Sequence, residues 1–119
     1  MDISAKLLIK SGQKVAVVGA PEGVLLVVDP VVNPPADPRD ADTVVAFLRR
    51  AEDLETVAWP AIAAARLDKL AWIAYPKAGQ LGTDLNRGIL AGLLALRDVQ
   101  PVRQVAIDEI WSALRLRPA

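Results

Sequence analysis

The amino-acid sequence predicts an α/β domain with a mostly parallel sheet, helices on its faces and a C-terminal antiparallel hairpin. The first reason is that short apolar runs alternate with segments of helical periodicity, which is typical of βαβ units. The second is that the last two apolar segments are joined by a loop too short for a crossover helix, so they must pair antiparallel. The third is length, because 119 residues suit one hydrophobic core. We therefore expect a single domain over residues 1–119.

Three apolar runs predict buried strands. They are "KVAVV" before Gly19, "DTVVAFL" over residues 42–48 and "LAWIAYP" over residues 70–76. None of them alternates with polar residues, so both faces of each strand should be covered. Residues 24–32, "VLLVVDPVV", lie between two groups of breaking residues, and they fit a strand or one turn of helix equally well. Residues 33–42 are rich in proline and in acids, which predicts a surface loop.

The first of two helical segments covers residues 51–69. Its acids come first and Arg66 and Lys69 come last, which is the distribution that the helix dipole favours. Apolar residues recur at helical spacing between them. Pro60 predicts a kink or a restart of this helix.

The second helical segment begins at Thr83, which is predicted to be its N-cap, and Asp84 suits the positive end of the helix. Leucine and isoleucine recur along one face. Gly88 and Gly92 lie one turn apart on another face, where they would let a neighbouring backbone approach closely. The predicted order along the chain is strand, uncertain linker, strand, helix, strand, helix, strand, strand.

Composition favours self-association and argues against a polyanionic partner. Apolar residues make up 53% of the chain and the mean hydropathy is +0.30, more than a soluble monomer of this length needs. Part of that surplus is expected in a subunit interface, so we predict a homodimer, with a protein or small molecule as another possible partner. The 14 basic and 14 acidic residues cancel, so no net field attracts nucleic acid or an anionic membrane.

Two residue types are missing, and their absence narrows the chemistry. The chain has no cysteine and no histidine. Zinc sites made of these residues and Ser-His-Asp or Cys-His nucleophiles therefore cannot be built. We predict no catalytic residue, no metal and no cofactor. The N-terminal residues lack the apolar core of a signal peptide and the longest apolar runs are too short to span a bilayer, so a cytoplasmic location is expected.

The stretches "WIAYPKAGQLGTDLNRGIL" and "VRQVAIDEIWSALRLRP" resemble a family of small bacterial proteins of unknown function. The order of elements is similar to the C-terminal half of Rossmann-like class I methyltransferases. The resemblance implies a truncated Rossmann-like domain without an established activity. Methyltransferases hold an adenosyl cofactor with a glycine-rich loop and a helix after the first strand. Here Gly19 and Gly23 have a different spacing and Asp29 follows without room for that helix, so the resemblance does not extend to a cofactor site.

Polar residues near the predicted strand ends form the first candidate site. Lys77, Asp84, Arg87 and Asp108 are expected near the carboxyl edge of the sheet, where ligands bind in α/β proteins. They could surround a nucleotide or another anion, or a ligand of mixed polarity. The spacing in "GQLGTD" excludes a P-loop. The structural alternative is a capped strand-to-helix turn in which Lys77 pairs with an acid.

The second candidate site is a pair of arginines in the hairpin. If the loop is residues 108–110, Arg103 faces Arg115 across the two strands. Directly opposed like charges repel unless an anion lies between them. A two-residue turn would shift the register and separate the pair. The alternative is two solvated arginines whose stems cover apolar surface.

Two other groups of residues have structural interpretations beside functional ones. Acids in residues 37–42 and 108–109 could bind a hard cation, but such loops are more often solvated. Trp59, Trp72 and Trp111 are expected in the core or in an interface rather than as stacking platforms. Two functional hypotheses follow. The preferred one is a non-catalytic binding or oligomerisation domain, and the other is an enzyme or cofactor binder that uses the strand edge.

Overall fold

The computed structural model describes residues 3–20, 33–77 and 79–119. Its strands are β1 (Val15–Val18), β2 (Thr43–Phe47), β3 (Leu70–Pro76), β4 (Val99–Ala106) and β5 (Trp111–Pro118), and its α-helices are α1 (Ile3–Lys6), α2 (Trp59–Arg66) and α3 (Arg87–Ala95). Two short 3-10 turns, Ala51–Leu54 and Gln80–Gly82, precede α2 and α3. The three predicted buried runs all form strands, and β2 is buried along its whole length. The expectation that both faces are covered is wrong for β1, in which Val17 is exposed. The prediction for residues 24–32 lies outside the described residues.

The five strands form one sheet in the order β1-β2-β3-β5-β4. The β1–β2 and β2–β3 pairs are parallel, whereas β3–β5 and β4–β5 are antiparallel. The prediction of a mostly parallel, Rossmann-like sheet is therefore wrong, because this sheet is mixed. The physical reason lies in the hairpin: β4 runs in the same direction as β3 but is not its neighbour. β5 returns between them, so the expected parallel contact of β3 with β4 is replaced by the antiparallel contact of β3 with β5.

The prediction of helices on both faces of the sheet is also wrong, because α2 and α3 pack on the same face. Ile62 of α2 and Leu90 and Leu94 of α3 belong to one core with Ile73 and Leu114 of the sheet. The chain moves across the sheet in one direction, from β1 to β2 to β3. Right-handed crossovers in one direction leave their helices on one face. The described ranges contain no crossover in the opposite direction, so no crossover helix reaches the other face there.

The sheet face opposite α2 and α3 is covered by the N-terminal segment, residues 3–14. Leu7 and Ile9 pack there in a second apolar cluster with Trp72. The indole Nε1 of Trp72 donates a buried hydrogen bond of 2.8 Å to the Leu7 carbonyl. The Asn33 side-chain amide donates to two carbonyls of the same segment, at 2.8 and 3.0 Å. A short segment without a long helix therefore closes this side of the core.

Each of the two crossover helices begins at a residue that suits the free backbone N–H groups of a first helical turn. α2 has Pro60 in its first turn, where the missing N–H costs nothing, and this confirms the predicted restart. The predicted N-cap of the next helix is wrong, since α3 begins at Arg87 and its cap is Asn86. The Asn86 side chain accepts a hydrogen bond of 2.8 Å from the Ile89 N–H. The hydroxyl of Thr83 instead donates to a carbonyl of the loop after β2.

The C-terminal hairpin has the register that a loop at residues 108–110 predicts. Arg103 lies opposite Arg115, in step with the pairs between it and the turn. The register shifts between Pro101 and Arg103, so a bulge and a proline interrupt β4, which lies at the edge of the sheet. Both features hinder an edge strand from pairing with other chains.

Candidate functional site

The carboxyl ends of β2 and β3 lie side by side in the parallel ladder, so the loops that follow them meet at one edge of the sheet. In open α/β sheets this edge is the usual place for a ligand. Three of the residues that the sequence predicts for a site follow strands here: Lys77, Asp84 and Arg87. The contacts of each residue decide whether it is free to bind anything.

Asp84 clamps the loop after β3 to the loop after β2. Its Oδ1 accepts a hydrogen bond of 2.9 Å from the Ala51 N–H, and its Oδ2 lies 3.5 Å from Arg50 Nη2. Arg50 Nη1 in turn donates to the Gly82 carbonyl at 3.0 Å. Both carboxylate oxygens therefore have partners inside the chain. Asp84 holds two loops together, which accounts for an acid at this position without a ligand.

Asp108 stabilises the turn of the hairpin. Its Oδ1 accepts hydrogen bonds from the N–H groups of Ile110 and Trp111, at 2.8 and 2.7 Å. The carbonyl of Ile110 accepts a hydrogen bond of 2.7 Å from the Lys77 N–H. The hairpin turn is thus attached to the end of β3. Asp108 has a structural role in this arrangement, as an aspartate in a tight turn commonly does.

Tyr75 lies buried beneath the strand edge, and its hydroxyl accepts a hydrogen bond of 3.3 Å from the Gln104 side-chain amide. Burial raises the pKa of the Tyr75 phenol, because the phenolate would lose its hydration, and the positive charge of Arg87 opposes that rise. Tyr75 is therefore a neutral hydrogen-bonding group at ordinary pH. Arg87 lies near enough for its charge to act on the phenol.

The six predicted site residues belong to two separate candidate sites, and their contacts in the structure differ. Asp84 and Asp108 are used by the backbone of neighbouring loops. Lys77 and Arg87 remain at the edge without an ion-pair partner among the described residues. Arg103 and Arg115 lie opposite each other on the sheet face away from α2 and α3. Ligand binding at either candidate site stays a prediction.

The outer face of α3 is a second candidate surface. We define it as Gly88, Ile89, Gly92, Ala95 and Leu96, all of which are exposed. At 100° per residue these five positions cover roughly a third of the helix circumference. None of them is charged. A Cβ atom added at Gly92 would meet nothing within 4 Å, and one added at Gly88 would meet only a neighbouring asparagine oxygen. No part of the chain packs over the two glycines, so another molecule can make the close approach that their spacing predicts.

A cleft on the outer side of α2 is the feature that sequence reasoning missed. Its volume is about 470 Å³, and it is lined by Trp59, Pro60, Ala63, Ala64 and Leu67 of the α2 region together with residues 37–39 and Lys69. Trp59 is 45% exposed, and the Arg66 guanidinium lies 5.0 Å from the centre of its ring. The spacing of four between Trp59, Ala63 and Leu67 was the signal that could have found it. Trp72 and Trp111, in contrast, are core residues as predicted.

No protein-family model, curated protein or solved structure matches the chain. The resemblance to the small bacterial family and to methyltransferases therefore stays a prediction. Among the described residues no group of three or more acids is placed to hold a metal ion. None of the described helices is long and apolar enough to cross a membrane.

Proposed function

We propose that this chain is a non-catalytic domain that works by associating with a second copy of itself through the outer face of α3. The observation that carries the proposal is that the outer face of α3, which includes the C-cap Leu96, has five exposed positions and no charge on any of them. The exposed Arg87 begins the helix and lies outside this face. A solvated helix normally carries charged or polar residues on its outer face. Exposed apolar surface of this kind marks a contact with another molecule.

A second copy suits this face because the face is complementary to itself. Ile89 and Leu96 project from it, and the open space over Gly88 and Gly92 can receive them. A two-fold interface requires the same patch to supply both the knob and the hole. The lack of charge matters as well, because two identical charged faces would repel each other. The apolar surplus of the whole composition also supports an interface.

The expected dimer is weak. α3 has nine residues, which is about 13 Å of helix, so contact between two such helices buries less than the roughly 800 Å² per partner of a stable interface. Close approach over the glycines improves packing but not area. A dissociation constant in the micromolar range or above is therefore the expectation, and association should depend on concentration.

Replacing Leu96 by glutamate should abolish the dimer. Leu96 is 80% exposed, so the change leaves the core intact, but it places a like charge on both sides of the interface. The matched control is Leu67→Glu, because Leu67 is 71% exposed and follows α2 instead. Sedimentation equilibrium and size exclusion with light scattering measure the mass. A wild-type chain that is monomeric at every micromolar concentration, or a dimer lost equally in both variants, would refute the proposal.

Replacing Gly92 by alanine should change stability and association in opposite directions. The added methyl group meets nothing within the chain, and alanine is a better helix former, so the free energy of unfolding should rise by about 0.5–1 kcal/mol. The same methyl group fills the space that receives the partner. The dimer should then weaken about fivefold, which is about 1 kcal/mol. Urea unfolding at a concentration where the chain is monomeric and sedimentation equilibrium measure the two effects; a dimer of unchanged affinity would count against close contact at Gly92.

The second candidate function is an enzyme or cofactor binder with a nucleotide or small anion at the strand edge. It is favoured by Lys77 and Arg87, whose side chains have no ion-pair partner within the described part of the chain. The internal partners of Asp84 and Asp108 count against it. A thermal-shift screen with adenosyl cofactors, nucleotides and phosphates tests it, since a ligand of the folded state raises the melting temperature. No rise at millimolar ligand, or a rise unchanged by Lys77→Gln, would remove this candidate.

A further inference from the structure

Arg103 of β4 and Arg115 of β5 form a cross-strand pair on the sheet face away from α2 and α3. Their positions are directly opposite in the ladder. Leu114 and Leu116, on either side of Arg115, belong to the core beneath the helices. Because side chains alternate along a strand, Arg115 points to the other face, and so does its partner across the ladder. The two arginine side chains therefore leave the sheet side by side on the same surface.

This pair has no counter-charge within the described part of the chain. None of the five ion pairs there includes Arg103 or Arg115. Arg117, two residues further along the same strand, shows the contrast, because Asp68 accepts hydrogen bonds from its Nε and Nη2 at 3.1 and 3.2 Å. Opposed like charges are unfavourable across an antiparallel pair. No acid neutralises the two positive charges of Arg103 and Arg115 in the described part of the chain, whereas Asp68 neutralises the charge of Arg117.

Arg115 also carries a buried donor that nothing accepts. Its Nε is inaccessible to solvent and has no hydrogen-bond partner. A buried N–H without an acceptor is costly, and such atoms are uncommon in folded proteins. On its other side Arg115 lies opposite the fully buried Trp72. The apolar neighbour lowers the local polarity and so strengthens any charged contact that forms beside it.

We infer that Arg103 and Arg115 bind a small oxyanion, a phosphate group or a carboxylate, on this face of the sheet. An arginine side chain presents planar N–H donors that match the oxygens of either group, often two at a time. One anion between the two guanidinium groups removes their repulsion. The Nε of Arg115 is closed to solvent, so an oxygen satisfies this donor only if the Arg115 side chain shifts when the anion binds. The site is separate from the outer face of α3 and does not depend on association.

The experiment is a titration followed by NMR of the arginine Nε–H groups in the wild-type chain and in Leu96→Glu, which separates anion binding from self-association. Inorganic phosphate and succinate are added separately, with the ionic strength kept constant by sodium chloride. We expect saturable shifts of the Arg115 and Arg103 signals and none for Arg117, which Asp68 already holds. The anion that saturates at the lower concentration identifies the class of ligand. Shifts that follow ionic strength alone, or none at millimolar concentrations, overturn the inference.

Variants assign the site. Arg115→Gln and Arg103→Gln should each lose the rise in melting temperature that the anion produces, whereas Arg117→Gln should keep it. Arg115→Lys retains the charge without the planar donors, and it should bind about tenfold more weakly. Equal losses in all three glutamine variants would indicate a general effect of positive charge and would overturn the inference. If Arg115→Gln does not fold, Arg103→Gln and the lysine variant still decide the question.

Discussion

Replacing Trp72 by alanine should lower the free energy of unfolding by about 3–5 kcal/mol. Trp72 is completely buried in β3 and packs with Leu7 and Ile9 of the N-terminal segment. Alanine would leave a cavity at the centre of the sheet face that this segment covers. It would also remove the hydrogen bond from Nε1 to the Leu7 carbonyl. The N-terminal segment would then lose its main apolar contact and a buried polar one together.

Urea unfolding followed by circular dichroism measures this loss, and Trp59→Ala is the matched control. Trp59 is partly exposed on α2, so its removal should cost much less than that of Trp72. Trp72→Phe keeps an aromatic ring but leaves the Leu7 carbonyl without its donor, which should cost about 1–3 kcal/mol. Hydrogen exchange of residues 3–14 should quicken in this variant. Equal costs for Trp59→Ala and Trp72→Ala would contradict the packing described for the N-terminal segment.

The strands could be predicted from the sequence because local features determine them, whereas the hairpin register was predicted only on the condition of a loop at residues 108–110. Continuous apolar runs specify a strand that is buried on both faces, as β2 and β3 are. The structure has the loop at residues 108–110, and Arg103 and Arg115 are paired across β4 and β5; the sequence also allowed a two-residue turn, which would separate them. The start of α3 is also local, but two residues there can cap a helix. The sequence favours Thr83, whereas the cap is Asn86, whose side chain accepts a hydrogen bond from the Ile89 N–H. The Thr83 hydroxyl instead accepts a hydrogen bond from the Leu85 N–H, before the helix begins.

The sheet order and the faces of the helices could not be predicted with the same success. A hairpin can be added to a sheet through either of its strands, and nothing in the residues of β4 and β5 shows which one lies beside β3. That single choice decides whether the sheet is mostly parallel or mixed. The segment that covers the sheet face opposite the helices could not be predicted either. Residues 3–14 have no strong periodicity, and they cover this face by packing Leu7 and Ile9 against it.

The candidate site at the strand edge shows a similar limit. The sequence places Asp84 in a candidate site because it is expected near Lys77, Arg87 and Asp108 at the carboxyl edge of the sheet. The partners of Asp84 are Arg50 and the Ala51 N–H, and they are more than thirty residues away in sequence. A single sequence does not show such a contact. The cations at the strand edge and the uncharged residues of α3, in contrast, are visible in the residue types, and the structure adds which of them are exposed or without an ion-pair partner among the described residues.

Gly19 occupies the position where a cofactor-binding loop would carry a glycine, and its replacement tests whether packing alone explains it. The residue has φ +71°, which favours glycine, and it follows β1 directly. A Cβ atom there would lie 2.7 Å from Val57 Cγ1 and 3.0 Å from the Phe47 carbonyl oxygen. Gly19→Ala should therefore combine backbone strain with a clash against β2, and the free energy of unfolding should fall by about 2–4 kcal/mol.

Gly12→Ala separates the two contributions. Gly12 has φ +87° and a Cβ atom added to it would meet nothing within 4 Å, so this variant measures the strain without the clash, at about 1–2 kcal/mol. The difference between the two variants in urea unfolding is the cost of the contact with Val57 and Phe47. A difference near zero would mean that the surroundings yield to a methyl group. Packing would then not explain why residue 19 is a glycine, and the close approach of a ligand to the backbone would become the better explanation.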